Sequence, residues 1–454
     1  MTLTDKDTAA PDVRLARARA ARAAVPADGH AEFPSTLRRA DPLTLLARQD
    51  RDRVPQLLPL RYSTMAASPL AYFRGAALPA AADLASTPRT GFGVQACGDA
   101  QLANFGLFTA QGRRLVFDIA DFGETLPAPW EWDVKRLAAS FEVAAREYGH
   151  AAALRRRSVL AAVEAYRLAM HDFARRTSLD IFFAPADART LRAVAAHRLG
   201  PARRGTDGTR RWTEIRDGQL RLAARPPSVV PAGHLAGDGD PATLVDRIGK
   251  VLAQYRRSLG PARRALLDRY RLADAVRTVT GPGGAGTRSW VALLVRTGTG
   301  DPLLLQVQEA RPSVLQDYTG TSVPGGAGRR VVSGQRRIQA TGDVFLGWAR
   351  TADFDGRAAD FHVRRLREDQ AAGEVTAMTP EILRAHARLC GWTLARAHAR
   401  TGDALAIAAY LGSGPAFAEA VRRFAVACAD QNERDHAALR QAIRLGRVTA
   451  AATS

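Results

Sequence analysis

The chain has 454 residues, 46% of them hydrophobic, and a formal net charge of +20 at pH 7. This length can build two or three packed units with a large buried core. Nearly all of the basic charge is arginine scattered along the chain, because only three lysines occur. A nucleic-acid surface would instead cluster its charge and alternate it with aromatic residues, so no specific nucleic-acid partner is expected.

Cysteine usage and hydropathy exclude two further classes. Cys97, Cys390 and Cys428 are far apart and have no metal-ligand spacing, which is typical of reduced cysteines in a cytoplasmic protein. The nine histidines form no zinc-binding pattern. No apolar run approaches the roughly 18 residues of a membrane span, so we expect no membrane partner.

In chain order, the sequence opens with an Ala/Arg-rich stretch, residues 1–35, which predicts a flexible arm. Asp41 then precedes a proline and starts a helix as an acidic cap. Residues 129–176 have a helical pattern with a long apolar face. Residues 197–240, rich in Arg, Gly and Pro, predict loops, and a helix pair follows over residues 242–272.

Two polar loops carry the most informative pattern. Asp99 and Asn104 stand five residues apart, and a strand-like run over residues 114–119 leads to Asp121 in an Asp-Phe-Gly sequence. In kinases an Asp with this spacing orients the attacking group, while an Asn and a second Asp hold Mg²⁺. The plainer interpretation is two turns rich in Asp, Asn and Gly.

Two neighbouring carboxylates have other expected roles. Asp118 lies inside the apolar strand and is expected to bond the loop backbone, so Asp121 is favoured as the metal ligand. Asp133 is expected to cap or anchor the helix that follows it rather than to contact a substrate.

A glycine-rich segment, residues 281–288, lies between strand-like runs further along the chain. The runs over residues 289–295 and 302–308 are joined by a Gly-Thr-Gly-Asp turn and predict a β-hairpin. A glycine-rich tip between two strands can cover nucleotide phosphates with its N–H groups, although a plain hairpin has the same pattern. The candidate cofactor-binding residues are Gly283, Gly284, Gly286, Thr287, Arg288 and Gln308.

These parts stand in the reverse of the usual kinase order, because the glycine-rich sheet follows the catalytic-type loop. A circular permutation would explain this order. A third strand is expected over residues 361–366, and helices are expected from Pro380 onward. The helix over residues 389–398 resembles the one that normally leads into the catalytic loop.

The chain resembles a bacterial family of unknown function, domain-of-unknown-function family 2252, from about residue 35 to residue 440. The segments that carry the resemblance are residues 66–77, 97–106, 116–125, 129–140, 306–315 and 429–435. The central motif also resembles that of the aminoglycoside and choline kinases, Gly-Asp-x-His-x-x-Asn followed by a metal-binding Asp. This resemblance implies ATP and Mg²⁺ as cofactors.

The sequence departs from these patterns at functional positions. Gln101 replaces the motif's His, and it can orient the loop but cannot titrate. Gln308 stands where the family usually has a lysine, the natural partner of the nucleotide phosphates. A replacement cation would come from Arg288 or Arg311. The glutamate that would hold such a lysine has no clear candidate, although Glu309 is adjacent to Gln308.

Together these patterns predict an α/β (α+β) protein with a permuted, protein-kinase-like two-lobed fold. The predicted units are the arm at 1–35, a helical lobe at 36–265, a small β-rich lobe at 266–370 and completing helices at 371–454. The expected function is ATP- and Mg²⁺-dependent phosphoryl transfer to a small hydroxylated or aminated molecule. The alternatives are a nucleotide-binding regulatory module without turnover and, from charge alone, a nucleic-acid binder.

Overall fold

The computed structural model of this protein combines α-helices with small antiparallel sheets, as expected for a mixed α/β chain. It describes residues 9–35, 39–109, 115–186, 188–199, 212–225, 229–231, 241–278, 281, 283–284, 286–340, 342–352, 358–366 and 378–451.

Five helices begin the chain. They are α1 (Pro11–Ala24), α2 (Pro42–Asp50), α3 (Leu58–Ala66), α4 (Pro69–Gly75) and α5 (Ala77–Ala85). Asp41 caps α2 as expected, because its carboxylate accepts a hydrogen bond from the N–H of Thr44 over 2.8 Å.

The prediction of a flexible arm over residues 1–35 differs from the structure within residues 11–31. Helix α1 packs on a C-terminal helix, with Ala18 buried and Arg14 in an ion pair with Asp403 at 2.6 Å. His30, in the short 3₁₀ turn that follows, is also buried. Small alanines allow this close packing, so a composition that looks solvent-exposed in sequence is here part of the core.

Two short ribbons and four helices follow. They are β1 (Gly93–Ala96), β2 (Phe105–Thr109), β3 (Leu115–Ile119), β4 (Leu126–Pro129), α6 (Trp130–Glu147), α7 (Ala152–Phe173), α8 (Ser178–Phe183) and α9 (Ala188–Leu199). Strand β1 pairs with β4 and β2 with β3, both antiparallel. The two ribbons therefore bring the loop after β1 and the loop after β3 to one place.

The segment predicted as loops, residues 197–240, forms strands in part of its described residues. These are β5 (Thr213–Arg216), β6 (Gln219–Leu222) and β7 (Val229–Pro231). The turn between β5 and β6 uses Asp217 and Gly218, both at positive φ, which is the backbone of a tight hairpin. The expected helix pair follows as α10 (Pro241–Arg257) and α11 (Pro261–Leu267).

The second half of the chain builds the main sheet. Its elements are β8 (Tyr270–Thr278), β9 (Ser289–Arg296), β10 (Pro302–Ala310), α12 (Gln316–Thr319), α13 (Gly326–Ile338), β11 (Gly347–Ala352) and β12 (Ala358–Arg365). The strand order is β11-β12-β10-β9-β8-β7. The predicted hairpin is confirmed, with Val295 opposite Pro302 and its turn glycines, Gly298 and Gly300, at positive φ.

Both faces of this sheet are covered. On one face Trp290, Val307 and Phe361 pack with apolar residues of α10. On the other face Val291 and Leu304 form a smaller core with Leu222 of β6. The β5–β6 hairpin therefore closes an apolar sheet face that would otherwise meet solvent.

Three helices complete the described chain, as expected from Pro380 onward. They are α14 (Pro380–Ala399), α15 (Ala404–Leu411) and α16 (Ala416–Arg444). Helix α14 packs along α7 and against β1 and β3, and its buried residues join the large helical core. Of the described helices, none alone is long and apolar enough to span a membrane. Helices α15 and α16 meet these two criteria only when taken together, and they are bent by 85° at their junction.

Candidate active site

Asp99 lies in the loop between β1 and β2, where three side chains hold its carboxylate. Arg136 of α6 donates from Nε to Oδ1 over 3.0 Å. Asn104 and Gln101 donate from Nδ2 and Nε2 to Oδ2 over 3.2 and 3.3 Å. The carboxylate is fixed in direction by these donors and keeps 15% of its side-chain surface exposed.

The backbone of this loop is held by a buried carboxylate from α6. Asp133 accepts hydrogen bonds from the N–H groups of Cys97 and Gly98 over 2.8 and 3.0 Å. His398 of α14 places Nε2 3.2 Å from the same carboxylate. Asp133 therefore anchors the loop before Asp99 rather than its own helix, a contact across 35 residues that the sequence pattern does not reveal.

Asp121 lies next to Asn104 because the backbone joins the two loops. The N–H of Ala120 donates to the carbonyl of Asn104 over 2.8 Å. Asp121 follows directly, with an exposed side chain whose Oδ1 accepts from the N–H of Gly123 over 2.8 Å. The structure thus brings Asp99, Asn104 and Asp121 together.

A fourth carboxylate, that of Glu124, ties the loops together. Gly98 has φ +88, and a Cβ on it would overlap the Glu124 carbonyl, so glycine is required at this contact. Burial raises the pKa of Glu124, and the charges of Asp99 and Asp121 act in the same direction against Arg330. The carboxylates of Asp99 and Asp121 therefore both act on Glu124, and Asp99, Asn104 and Asp121 are called the acidic centre below.

Asp118 has a structural role. Its buried carboxylate pairs with Arg396 of α14 at 2.9 Å and accepts from the N–H of Ala340 over 2.8 Å. These contacts join β3 to α14 and to the end of α13. Of Asp118 and Asp121, Asp118 is buried and Asp121 is exposed, so Asp121 is the one whose carboxylate can meet a ligand.

The donor set at Asn104 and Asp121 suits Mg²⁺ that arrives with a phosphate ligand. Asn104 uses Nδ2 toward Asp99, which leaves its Oδ1 as an acceptor for a cation. Mg²⁺ is usually held by one or two carboxylates together with water and substrate phosphates. Within the described residues no group of three His, Cys, Asp or Glu side chains could hold a metal ion, so a protein-only site is not indicated.

The glycine-rich segment between β8 and β9 contacts the helical part of the molecule. The N–H of Val54 donates to the carbonyl of Gly286 over 2.9 Å, and Arg53 donates to that of Gly283 over 3.2 Å. A Cβ on Gly283 would lie 3.1 Å from the Arg74 carbonyl, a tight contact, so the glycine-rich segment lies directly against the end of α4.

Arg74 connects the glycine-rich segment to Asp99. Burial lowers the pKa of the Arg74 guanidinium, and the nearby Asp99 carboxylate opposes that shift. The hydroxyl of Thr287, one of the candidate binding groups, instead donates to the carbonyl of Gly284 over 2.6 Å within the loop. Arg74 therefore lies against the glycine-rich segment and interacts electrostatically with Asp99.

Gln308 lies in the middle of the sheet, opposite His362 of β12. Arg288 and Arg311 approach the next residue, Glu309, from two sides at 3.5 and 3.6 Å. Both arginines expected to replace the missing lysine are therefore paired with Glu309.

Arg364 of β12 is a site residue that sequence reasoning missed. Its guanidinium donates to the carbonyl of Ala120 and to Oε1 of Gln306, each over 2.9 Å. Burial lowers its pKa, and the charge of Asp121 opposes that shift. Nothing in an arginine-rich sequence marks this one residue as the link between the sheet and the loop after β3.

Arg330 of α13 was also missed. It donates to the carbonyls of Thr125 and Gly123 over 2.6 and 2.7 Å. A Cβ on Gly334, one turn later, would overlap Thr125, so the helix lies directly against the loop after Asp121. Helix α13 and the loop over residues 120–125 therefore form one packed unit.

The comparisons with known proteins identify the family. No curated protein and no solved structure matches the chain. One family model, described as an uncharacterized protein conserved in bacteria (DUF2252), matches residues 53–442. This match spans both polar loops, the main sheet and most of the C-terminal helices, as the sequence resemblance implied. The chain therefore belongs to this bacterial family.

Proposed function

We propose that the protein is an ATP- and Mg²⁺-dependent phosphotransferase that acts on a hydroxyl or amino group of a small molecule in the cytoplasm. One observation carries this proposal: Asp99, Asn104 and Asp121 lie side by side, and the glycine-rich segment contacts Arg74 beside them. Phosphoryl transfer depends mainly on positioning and charge stabilisation, which this arrangement supplies.

Each residue of the centre has a distinct role in this proposal. Asp99, fixed by its three donors, accepts a hydrogen bond from the attacking group and directs it at the phosphate. Asn104 and Asp121 hold Mg²⁺, which neutralises charge on the phosphate oxygens. Arg74 lies between this centre and the glycine-rich segment, where its guanidinium can stabilise charge on the transferred group.

The order of the sheet elements supports the same function. The glycine-rich segment joins β8 and β9, strand β10 follows, and helix α13 comes after β10 and the short α12. Protein kinases place a glycine-rich loop, a further strand and a helix in this succession. Helix α14 follows β11 and β12 in the chain and packs on β1 and β3, an arrangement compatible with a circular permutation of a kinase-like fold.

A thermal-shift assay with ATP, GTP and ADP, each with and without Mg²⁺, tests the proposal. The wild type is compared with Asp121→Ala and with Asp172→Ala, which removes a carboxylate from a surface ion pair on α7. We expect a Mg²⁺-dependent nucleotide shift in the wild type and in Asp172→Ala, and its loss in Asp121→Ala. No nucleotide shift in a folded wild type would refute the proposal.

The second candidate is nucleotide binding without turnover, and Gln308 favours it. A neutral side chain at the usual lysine position removes one source of charge stabilisation. ADP release in the presence of candidate acceptors separates the two functions. Turnover that falls by roughly 10²–10⁴ in Asp99→Asn would support the transferase. A Mg²⁺-dependent shift with no ADP release from any acceptor would favour the binding module.

A further inference from the structure

A cavity of about 750 Å³ lies between residues 51–56, the end of the main sheet next to the glycine-rich segment, and the start of α13. Its size is in the range of small-molecule sites. Asp99, Asn104 and Asp121 lie outside its lining. Its arginines come from six separate parts of the chain, and they are Arg51, Arg53, Arg277, Arg288, Arg311, Arg330 and Arg350.

The acidic residues of the lining do not balance these arginines. Asp52, Glu309 and Asp360 also line the cavity. Glu309 is already shared between two of the arginines, at 3.5 and 3.6 Å. Asp360 accepts a hydrogen bond from the N–H of Ala327 over 3.1 Å at the start of α13. The cavity therefore has a strong excess of positive charge, which a concave wall concentrates.

Two buried arginines show that this charge is only partly compensated. Arg330 is 4% exposed, and its Nε has no hydrogen-bond partner among the described residues. For Arg53, burial together with the charges of Arg61 and Arg311 lowers the pKa to about 9, although Asp50, 3.4 Å away, and Glu124 oppose that shift. Like charges held this close raise the free energy of the folded protein, and an anion in the cavity would lower it.

We propose that this cavity binds a compact anion that carries two or more phosphate groups, at a site separate from the Asp121 metal centre. Guanidinium groups bind phosphate oxygens through paired N–H donors, and several guanidiniums around one cavity match several phosphates. Arg288 and Arg311 are shared with the cations considered for the nucleotide phosphates, but the cavity does not include Asp99, Asn104 or Asp121, so its anion binding can be tested separately from the proposed transferase activity.

The cavity also contacts both halves of the candidate active site. Arg53 donates to the glycine-rich segment at Gly283, and Arg330 donates to the loop over residues 120–125 at Gly123. An anion that engages these two guanidiniums would restrain both segments at once. Occupancy of the cavity is therefore positioned to regulate whatever binds at the metal centre.

Calorimetric titration with inorganic tripolyphosphate, in EDTA and low salt, tests the proposal. The variant Arg311→Gln/Arg350→Gln should weaken binding at least about tenfold, because it removes two phosphate partners. The control Arg175→Gln/Arg257→Gln makes the same charge change at exposed positions and should stay within about twofold of wild type. Asp121→Ala should also bind like wild type.

The outcomes separate the site from its alternatives. Orthophosphate that binds as tightly as tripolyphosphate, or equal weakening in both double variants, would refute a polyphosphate site. Loss of binding in Asp121→Ala would place the anion at the metal centre instead. A single-stranded oligonucleotide that displaces tripolyphosphate and binds more tightly than it does would show a nucleic-acid surface and overturn the proposal.

Two further arms complete the test. ATP that displaces tripolyphosphate in EDTA would support a site that accepts nucleotide phosphates, and failure to displace it would support a site restricted to smaller polyphosphates. If the double variant does not fold, Arg350→Gln alone provides the test, because Arg350 has an exposed side chain whose replacement leaves the core intact. It should weaken tripolyphosphate binding relative to wild type. Unchanged affinity in a folded double variant would refute the proposal.

Discussion

The loop around Asp99 and the arginine-lined cavity both bury charge, and they compensate it to different degrees. Asp99 has three side-chain donors, and Asp133 accepts two N–H groups and faces His398. In the cavity seven arginines face three acidic residues, so ion pairs such as that of Arg53 with Asp50 at 3.4 Å compensate only part of the positive charge. A satisfied network fixes geometry, whereas partly compensated charge favours a ligand.

Breaking the hydrogen-bond network around Asp133 should have the largest effect on the free energy of unfolding. Asp133→Ala leaves two buried N–H groups and His398 without their acceptor, so we expect a loss of about 3–5 kcal/mol in the free energy of unfolding. Asp133→Asn keeps one acceptor oxygen and should lose less. Urea denaturation at pH 7 measures both variants, and an unchanged stability in Asp133→Ala would show that the loop is held by other contacts.

Acid should lower the free energy of unfolding of the protein through His362, which lies near Arg364 and Arg330. Burial and the charges of Arg364 and Arg330 lower its pKa to about 3. Between pH 6.5 and pH 3 the unfolded chain therefore binds a proton that the folded chain does not. Stability falls as pH falls, by about 1.4 kcal/mol per pH unit. From pH 6.5 to 5, wild type should lose about 2 kcal/mol more than His362→Gln in urea denaturation. Parallel losses would contradict this assignment.

Of these changes, removing an arginine of the cavity should have the smallest effect on the free energy of unfolding. Arg311→Gln gives up an ion pair at 3.6 Å but also relieves repulsion on Arg53. We therefore expect the free energy of unfolding to change by less than about 1 kcal/mol. A loss as large as that in Asp133→Ala would mean that the cavity is a structural ion network rather than a ligand site.

Local sequence signals predicted many elements and the residues of the acidic centre. The strand-like apolar runs over residues 289–295 and 302–308, with glycines in the turn between them, predicted the hairpin that β9 and β10 form. The five-residue spacing of Asp99 and Asn104, one strand before Asp121, predicted the group that the structure brings together. Such signals work because period-2 patterns and turn residues act over a few positions.

Long-range contacts could not be predicted in this way. The flexible arm predicted for residues 1–35 contains a packed helix, since alanine is compatible with both a solvated helix and a close helix contact. The hairpin at residues 213–222 was missed although its alternating residues and Asp-Gly turn are a local signal, because the surrounding segment is rich in Arg, Gly and Pro and was assigned to loops as a whole. For the helix within residues 1–35, the partner surface decides the structure, and that surface comes from distant parts of the chain.

The sequence by itself determined the family, the mixed α/β class and the three polar residues of the acidic centre, because each depends on residue identity at short spacing. Only the tertiary structure decided which arginines matter. The chain scatters its arginines widely, and in the folded protein Arg330 and Arg364 hold the loop around Asp121 while seven arginines line one cavity. Charge acts through distance in space, which spacing along the chain does not specify.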